Sequence, residues 1–485
     1  MKKIYILLAA GAMFTMAACK KALTEKPYSI LTNANFYQNA NDAQSALVGV
    51  FSQLQPQAYY QRTVYIMSDL SGDEMIPLLT QNQERIDMYK VQYTSSNIEI
   101  NNWYTNSYKL ISRANDVIVN VPGITMDIPT KNNILGNAMF LRGMAYFDLV
   151  RSFGDVPLIL KPITSATDPN LYPSRTASSA IYTQIISDLK YAEANCYTED
   201  KITAANKGEV SSGAASAMLA RVYLQRASTT FAASDDNTNA LAECNKVING
   251  GLYKLMPNYS DVFNWTLKYF PAQTEVIFAV QFGANNTSTT QNITVRMFSP
   301  AALGGSGSFN ANPYLLNSVY DKGDVRKTWN VSNNVAGVIV TPYIYKYRDP
   351  QWVKGSNNSQ MNWIVLRYSD VLMMQSEAMN NINASDPNKF NGLNLVRTRA
   401  GLGATQMLSL ANTPTSAAFV DTLLRDRLRE LCVEGHRRWD LIRLGQFASV
   451  EQAVNGFTVS PNQYLLPLPQ TEIDANKNLK QNPGY

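Results

Sequence analysis

Histidine is almost missing: His436 stands alone in 485 residues. That scarcity removes most zinc sites, serine–histidine triads and histidine general bases as classes of chemistry. Cysteine is nearly as rare, with four residues and no CxxC pair. Charge is thin as well. Charged side chains make up 16% of the chain, and 42 basic against 37 acidic residues leave a balance of +5. No run of Lys or Arg gathers this charge into a stripe, so no nucleic-acid partner is expected. After the first twenty residues, no stretch is apolar enough to provide the ~20 residues that a bilayer crossing needs.

What is present begins at the N-terminus. Lys2 and Lys3 precede an apolar run from Ile4 to Met16, broken by Gly11 and Thr15, and Ala17-Ala18 lead into Cys19. This is the layout of a secretory signal that closes on a lipobox-like site. Cleavage after residue 18 and lipidation of Cys19 are expected. Each buried acyl methylene contributes about 0.8 kcal/mol, so several chains hold a soluble domain to a membrane. With Cys19 committed to lipid, Cys196, Cys244 and Cys432 remain at long spacings. Buried thiols are expected, with a Cys196–Cys244 bridge as the alternative.

Several segments carry helical periodicity. Residues 137–153 place Phe140, Met144, Phe147 and Val150 on one stripe, and Gly154 and Pro157 end it. Ser178 and Ser212 are candidate caps for the next two helices. A shorter helix is expected over 239–248, ending at Gly250-Gly251. The pattern returns over 368–380, 390–400 and 419–444. Paired helices with short connections predict a mostly α fold, a tetratricopeptide-like array of helical hairpins. Residues 257–362 interrupt this pattern with Asn, Gly, Ser, Thr and aromatics, apart from a strand-like alternation over 275–282. A second aromatic-polar stretch covers 55–104. Long irregular stretches inside compact domains are usually functional, so the binding surface is expected there. The expected division is a signal peptide 1–18, a helical region 19–256, a loop-rich ligand-facing region 257–362, and a C-terminal helical region with a docking tail, 363–485.

Five segments, taken together, resemble one family. They are AMFLRGMAYFDLVRSFGDVPLI (Ala138 to Ile159), WIVLRYSDVLMMQSEAMN (Trp363 to Asn380), LNLVRTRAGL (Leu393 to Leu402), RELCVEGHRRWDLIRLG (Arg429 to Gly445), and YLLPLPQTEI with the closing QNPGY (Tyr464 to Ile473, Gln481 to Tyr485). In this order they resemble the SusD/RagB family of outer-membrane nutrient-binding lipoproteins. The resemblance implies a SusD-like helical scaffold and a SusC-type TonB-dependent transporter as partner. It also implies an oligosaccharide cargo, or a peptide in some branches, with no cofactor, no metal and no catalytic residue. One departure is the Lys20-Lys21 pair after Cys19, where surface-exposed members often carry acids.

Sugar recognition needs flat apolar faces for pyranose rings and planar polar groups for hydroxyls. On that chemistry the candidate ligand-binding residues are Tyr59, Tyr60, Arg62 and Asp73 in the early loop region. Arg296, Phe298, Phe309 and Tyr314 are the candidates in the later one. Tyr65, Trp103 and Trp265 are expected in the core instead. Asp69, Asp73, Glu74 and the pair Asp321/Asp324 match no EF-hand spacing and are expected in caps and turns. The dense cluster Arg429, Glu430, Glu434, His436, Arg437, Arg438 and Asp440 is expected to be an ion-pair lock rather than a glycosidase's acid–base pair. In that lock Arg429 or Arg438 would neutralise Glu430 and Glu434. The first rival to glycan capture is peptide capture, and a surface glycosidase is the second.

Overall fold

The computed structural model describes residues 36–168, 171–283 and 292–485. Cys19 and the signal segment lie outside these. The longer helices are α1 (Ala40–Ser52), α2 (Ile98–Asn120), α3 (Ile128–Phe153), α4 (Ser178–Asn195), α5 (Ser212–Ala227), α6 (Asp236–Asn249), α7 (Tyr368–Ile382), α8 (Asn391–Arg399), α9 (Ser416–Glu430) and α10 (Arg437–Arg443). From α2 to α7 each helix packs on the next, and α7 then receives α8 and α9. The array therefore continues from α6 directly to α7, across the irregular insert between them. Small residues set how closely helices approach. At Gly392 in α8, an added Cβ would lie 2.4 Å from the Leu372 carbonyl oxygen of α7.

The helical expectation holds, with corrections at the ends. Ser178 does not cap α4 with its own oxygen. Its N–H and hydroxyl both donate to Asp155 Oδ1, at 2.7 Å each. The cap of α5 is Ser211, one residue earlier than expected, with its hydroxyl accepting from the Ala214 N–H. The stretch 419–444 is two helices, not one. The chain turns between α9 and α10, where Val433 and Gly435 take positive φ of 53° and 86°. Cys196, Cys244 and Cys432 are all buried and free, so the Cys196–Cys244 bridge does not form. Among the described residues no helix is long and apolar enough to cross a membrane.

Among the described residues, two small sheets hold the irregular parts. Strands β1 (Met75–Pro77), β3 (Phe309–Ala311), β5 (Val338–Ile344) and β4 (Val331–Val335) form one sheet in that order. β4 and β5 make a hairpin whose turn residues, Ala336 and Gly337, have φ of 49° and 88°, as a twisted two-residue loop requires. The second sheet pairs only β2 (Val276–Val280) with β6 (Trp363–Arg367), setting Val280 opposite Trp363. The C-terminal tail then crosses back over α3. Leu466 N–H donates to the Ser152 carbonyl at 2.7 Å, and Asn482 Nδ2 donates to the carbonyls of Phe153 and Leu466 at 2.9 and 2.7 Å. Arg175 reaches the Lys480 carbonyl at 2.7 Å.

Candidate functional site

The two irregular regions expected to carry function, some 200 residues apart in sequence, meet in space. Pairing of β1 with β3 brings Pro77 opposite Phe309. The Leu78 N–H donates to the Ser308 carbonyl at 3.0 Å, and Thr294 Oγ1 donates to the Gln61 carbonyl at 3.4 Å. The joint carries a half-buried polar surface. Arg62 Nη2 spans both oxygens of Glu99 at 3.1 and 3.0 Å, and Arg85 Nε shares the same carboxylate at 3.2 Å. Two guanidinium groups thus stand on one acid. Arg296 donates to the Asn357 side-chain oxygen, an amide rather than a carboxylate. Beside it Ser306 Oγ lies 3.2 Å from the Arg296 carbonyl and 2.9 Å from Ser308 Oγ. Arg85 also lies over the Phe309 ring, 5.3 Å from its centroid.

The aromatic rings are placed differently from expectation. Tyr59 and Tyr60 are buried. The residue 57–61 turn tucks them edge to face, 4.7 Å apart, against Trp103 of α2, and their hydroxyls donate to Asp148 of α3 at 3.3 and 2.7 Å. Phe298 and Phe309 are buried too, packed on Tyr65 with centroids 4.9 and 5.3 Å away. None of these four rings offers a face to a cargo, because their π-faces are already used in aromatic contacts. Of the rings expected in the core, Tyr65 and Trp103 are buried and Trp265 is half-buried. Asp73 is buried beneath Arg437. Only Arg62 and Arg296 of the candidates share the loop face. Tyr314 and Asp73 together line a separate groove of about 390 Å³, beside Leu424, Arg425 and Gln446.

Sequence reasoning missed Arg85 and Asn357 on this face. Arg85 belongs to a short helix, Gln83–Tyr89, which has no strong signal of its own. It also missed Asp148, a polar residue amid the apolar stripe of α3. An acid in such a setting signals that buried donors must come to it.

Two segments of the chain match family models: residues 21–224 match one described as "Starch-binding associating with outer membrane", and residues 325–485 match the "SusD family". The chain belongs to the SusD/RagB family. Among its relatives, the SusD-like protein P25 of Formosa agariphila is 26% identical over 549 residues, covering 99% of this chain and 98% of that one. The starch-binding protein SusD of Bacteroides thetaiotaomicron is 36% identical over 70 residues, 13% of each chain. Among solved structures, a SusD homolog from B. thetaiotaomicron superposes with a TM-score of 0.82 at 23% identity, covering 93% of this chain and 98% of that one. A laminarin-binding SusD-like protein gives 0.76 at 25% identity, with coverage of 93% and 100%.

In this SusD-family chain the acid-rich motif forms a buried lattice of ion pairs. Glu430 takes Arg326 at 3.0 Å and also Arg367 and Arg399. Glu434 takes Arg367 at 2.8 Å together with Lys346. The expected partners differ: Arg429 binds Asp321 and Asp426, and Arg438 donates to Tyr93 Oη and the Gln463 carbonyl. The reason is the turn after α9, which takes Glu434 off the helical face of Glu430. Burial alone would raise the Glu430 carboxyl, but Arg399, Arg367 and Arg326 hold it far below the ordinary range. Burial, with Arg221 beside it, keeps the lone His436 well below its usual value. Asp69 accepts the N–H groups of Gly435, His436 and Arg437 at 2.9, 3.1 and 3.3 Å, capping α10. Asp324 binds Arg326 at 2.7 Å. Among the described residues, no group of acids, cysteines and histidine is arranged to hold a metal ion.

Proposed function

We propose that this protein is a lipid-anchored binding subunit on the outer face of an outer membrane, and that it captures an oligosaccharide on its loop-rich face. The cargo then passes to a TonB-dependent transporter of the SusC type. The observation that carries this reading is the convergence of Arg62, Arg85 and Arg296 with Asn357 and Ser306 on adjoining loops. Guanidinium forks, amides and hydroxyls provide the fixed planar donors and acceptors that vicinal sugar hydroxyls need. Relatives named for starch, laminarin and surface-glycan binding support the cargo class. The N-terminal signal with Cys19 supports the anchor. The acids of the C-terminal motif are committed to arginines and a lysine, which favours capture over bond cleavage. Capture must be reversible for delivery, so micromolar or weaker affinity is expected.

The test is calorimetric titration of the mature protein with a panel of oligosaccharides, repeated with Arg296→Ala and Asn357→Ala. These side chains are half-buried and bond each other rather than the core, so both variants should fold and bind more weakly, by about tenfold for one lost hydrogen bond to a charged group. Silence across the whole panel, or unchanged affinity in both variants, would overturn the reading.

A further inference from the structure

A second groove shares no lining residue with the face of Arg62, Arg85 and Arg296. It holds about 550 Å³, inside the ~300–1,000 Å³ range of ligand sites. One wall is α1 with Val48 and Phe51, the second is the turn at 205–209, and the third is the end of β2. Three features define its chemistry.

The first is Glu209, whose residue is 8% exposed. Its two oxygens accept from amides only, Gln44 Nε2 at 2.7 Å and Asn133 Nδ2 at 3.0 Å. Among the described residues no cation pairs with it. Nearby Lys207 turns away and donates to the Phe270 carbonyl at 2.9 Å. Asp69, Glu74 and Glu451 are also buried without an ion pair, but Glu209 is the acid that lines this groove. A carboxylate desolvated without a counter-ion favours a ligand that brings one.

The second feature is the edge of β2 that, among the described residues, has no strand beside it, since β2 pairs there with β6 on its other side only. The carbonyls of Ala279 and Gln281, two residues apart, point to the same edge. Each is held by a side-chain amide, Gln281 Nε2 on Ala279 and Gln55 Nε2 on Gln281, both at 2.8 Å. These amides occupy the places that the N–H groups of an added strand would take.

The third is the balance of what remains. Gln44 and Gln55 have given their N–H groups to protein acceptors, which leaves their carbonyl oxygens for a donor. The apolar part of the wall is Val48, Phe51, Leu54 and Val280, with Ser52, Asn206 and the turned-away Lys207 at its polar side.

We propose that this groove is a second binding site, for a short extended peptide carrying a lysine or arginine. The peptide N–H groups exchange with the side-chain amides on β2, its basic head meets Glu209, and its aliphatic stem lies on Phe51 and Val48. The site is independent of the oligosaccharide face.

The mature full-length protein is titrated with a blocked lysine-containing tetrapeptide and with its norleucine counterpart, which keeps the stem and loses the charge. The lysine peptide should bind about tenfold tighter, the weight of one charge-assisted hydrogen bond. Glu209→Gln should erase that difference. Val48→Arg, on an exposed position of α1, adds a like charge at the rim and should weaken the lysine peptide without touching the fold. Arg296→Ala should leave peptide binding unchanged while it weakens oligosaccharide binding, so the two readings fail separately. Equal affinity for the two peptides, or no binding of either, overturns the proposal. So does binding of a glucosamine oligomer in place of the peptide with the same Glu209 dependence, which would make this a cationic-sugar site.

Discussion

Arg437 grips Asp73 through two parallel hydrogen bonds of 2.7 and 2.6 Å, 364 residues apart in the chain. This bidentate pair is buried and joins the first turn of α10 to the early irregular region that supports the loop face. Asp69, four residues earlier, caps the same helix. The C-terminal motif therefore orients the segment from which Arg62 and Arg85 project.

Removing one partner should be costly. Asp73→Ala leaves a guanidinium buried without its counter-charge, and about 3–5 kcal/mol of stability should be lost. Asp73→Asn keeps one acceptor and should cost less. Urea unfolding of the two variants beside the parent measures both.

Acid should loosen the lattice around Glu430. Its folded-state value is depressed below the ordinary 4.5, so the stability it contributes is complete above that pH. That stability is lost progressively as the pH falls below 4.5. Glu430→Gln should lose stability at neutral pH, by about 3 kcal/mol, and show a flatter profile in acid. Denaturation midpoints measured from pH 7 down to pH 3 provide the comparison.

Glu451 should act with the opposite sign. It is fully buried, one oxygen has no partner, and burial pushes its carboxyl up to about 7. The folded state therefore binds a proton more readily than the unfolded chain. Its effect on stability is neutral below pH 4.5 and becomes unfavourable as the pH rises toward 7. Glu451→Gln should remove much of this slope, a gain of about 1–3 kcal/mol at pH 8 relative to pH 5. Parallel slopes in parent and variant would refute the assignment.

Tyr60 should prove structural. Tyr60→Phe removes the shorter of the two hydrogen bonds on Asp148 Oδ2, leaving that from Tyr59, and should cost about 1–3 kcal/mol, while Tyr60→Ala should cost about 3–5 kcal/mol through the cavity it leaves. Oligosaccharide affinity of the folded fraction should stay at the parent's value in both. A folded Tyr60→Ala protein with weakened binding would return this ring to the site.

The helical scaffold was legible because α3, α5 and α7 carry long apolar stripes that fix their faces. The family motifs supplied the order of the rest. The turn between α9 and α10 was not legible, because Leu428, Leu431 and Trp439 keep a helical rhythm straight across it. The break sits at Val433 and Gly435, both at positive φ, and Asp69 holds the restarted helix from sixty-odd residues into the chain. At the candidate site, loop position showed where Arg62 and Arg296 would stand. It could not separate a ring facing solvent from one buried under a turn. For Tyr59 and Tyr60 that choice depends on Asp148, which lies nearly ninety residues away.

The tail that crosses α3 has a consequence for biogenesis. Lys480 and Asn482 tie Phe153, Leu466 and Arg175 together, so the end of α3 gains this cover only once the chain has been made as far as Asn482. A chain cut short by even twenty residues would leave the end of α3 and its carbonyls uncovered. Such truncated products should open more readily at that end and be cut sooner by proteases than the parent.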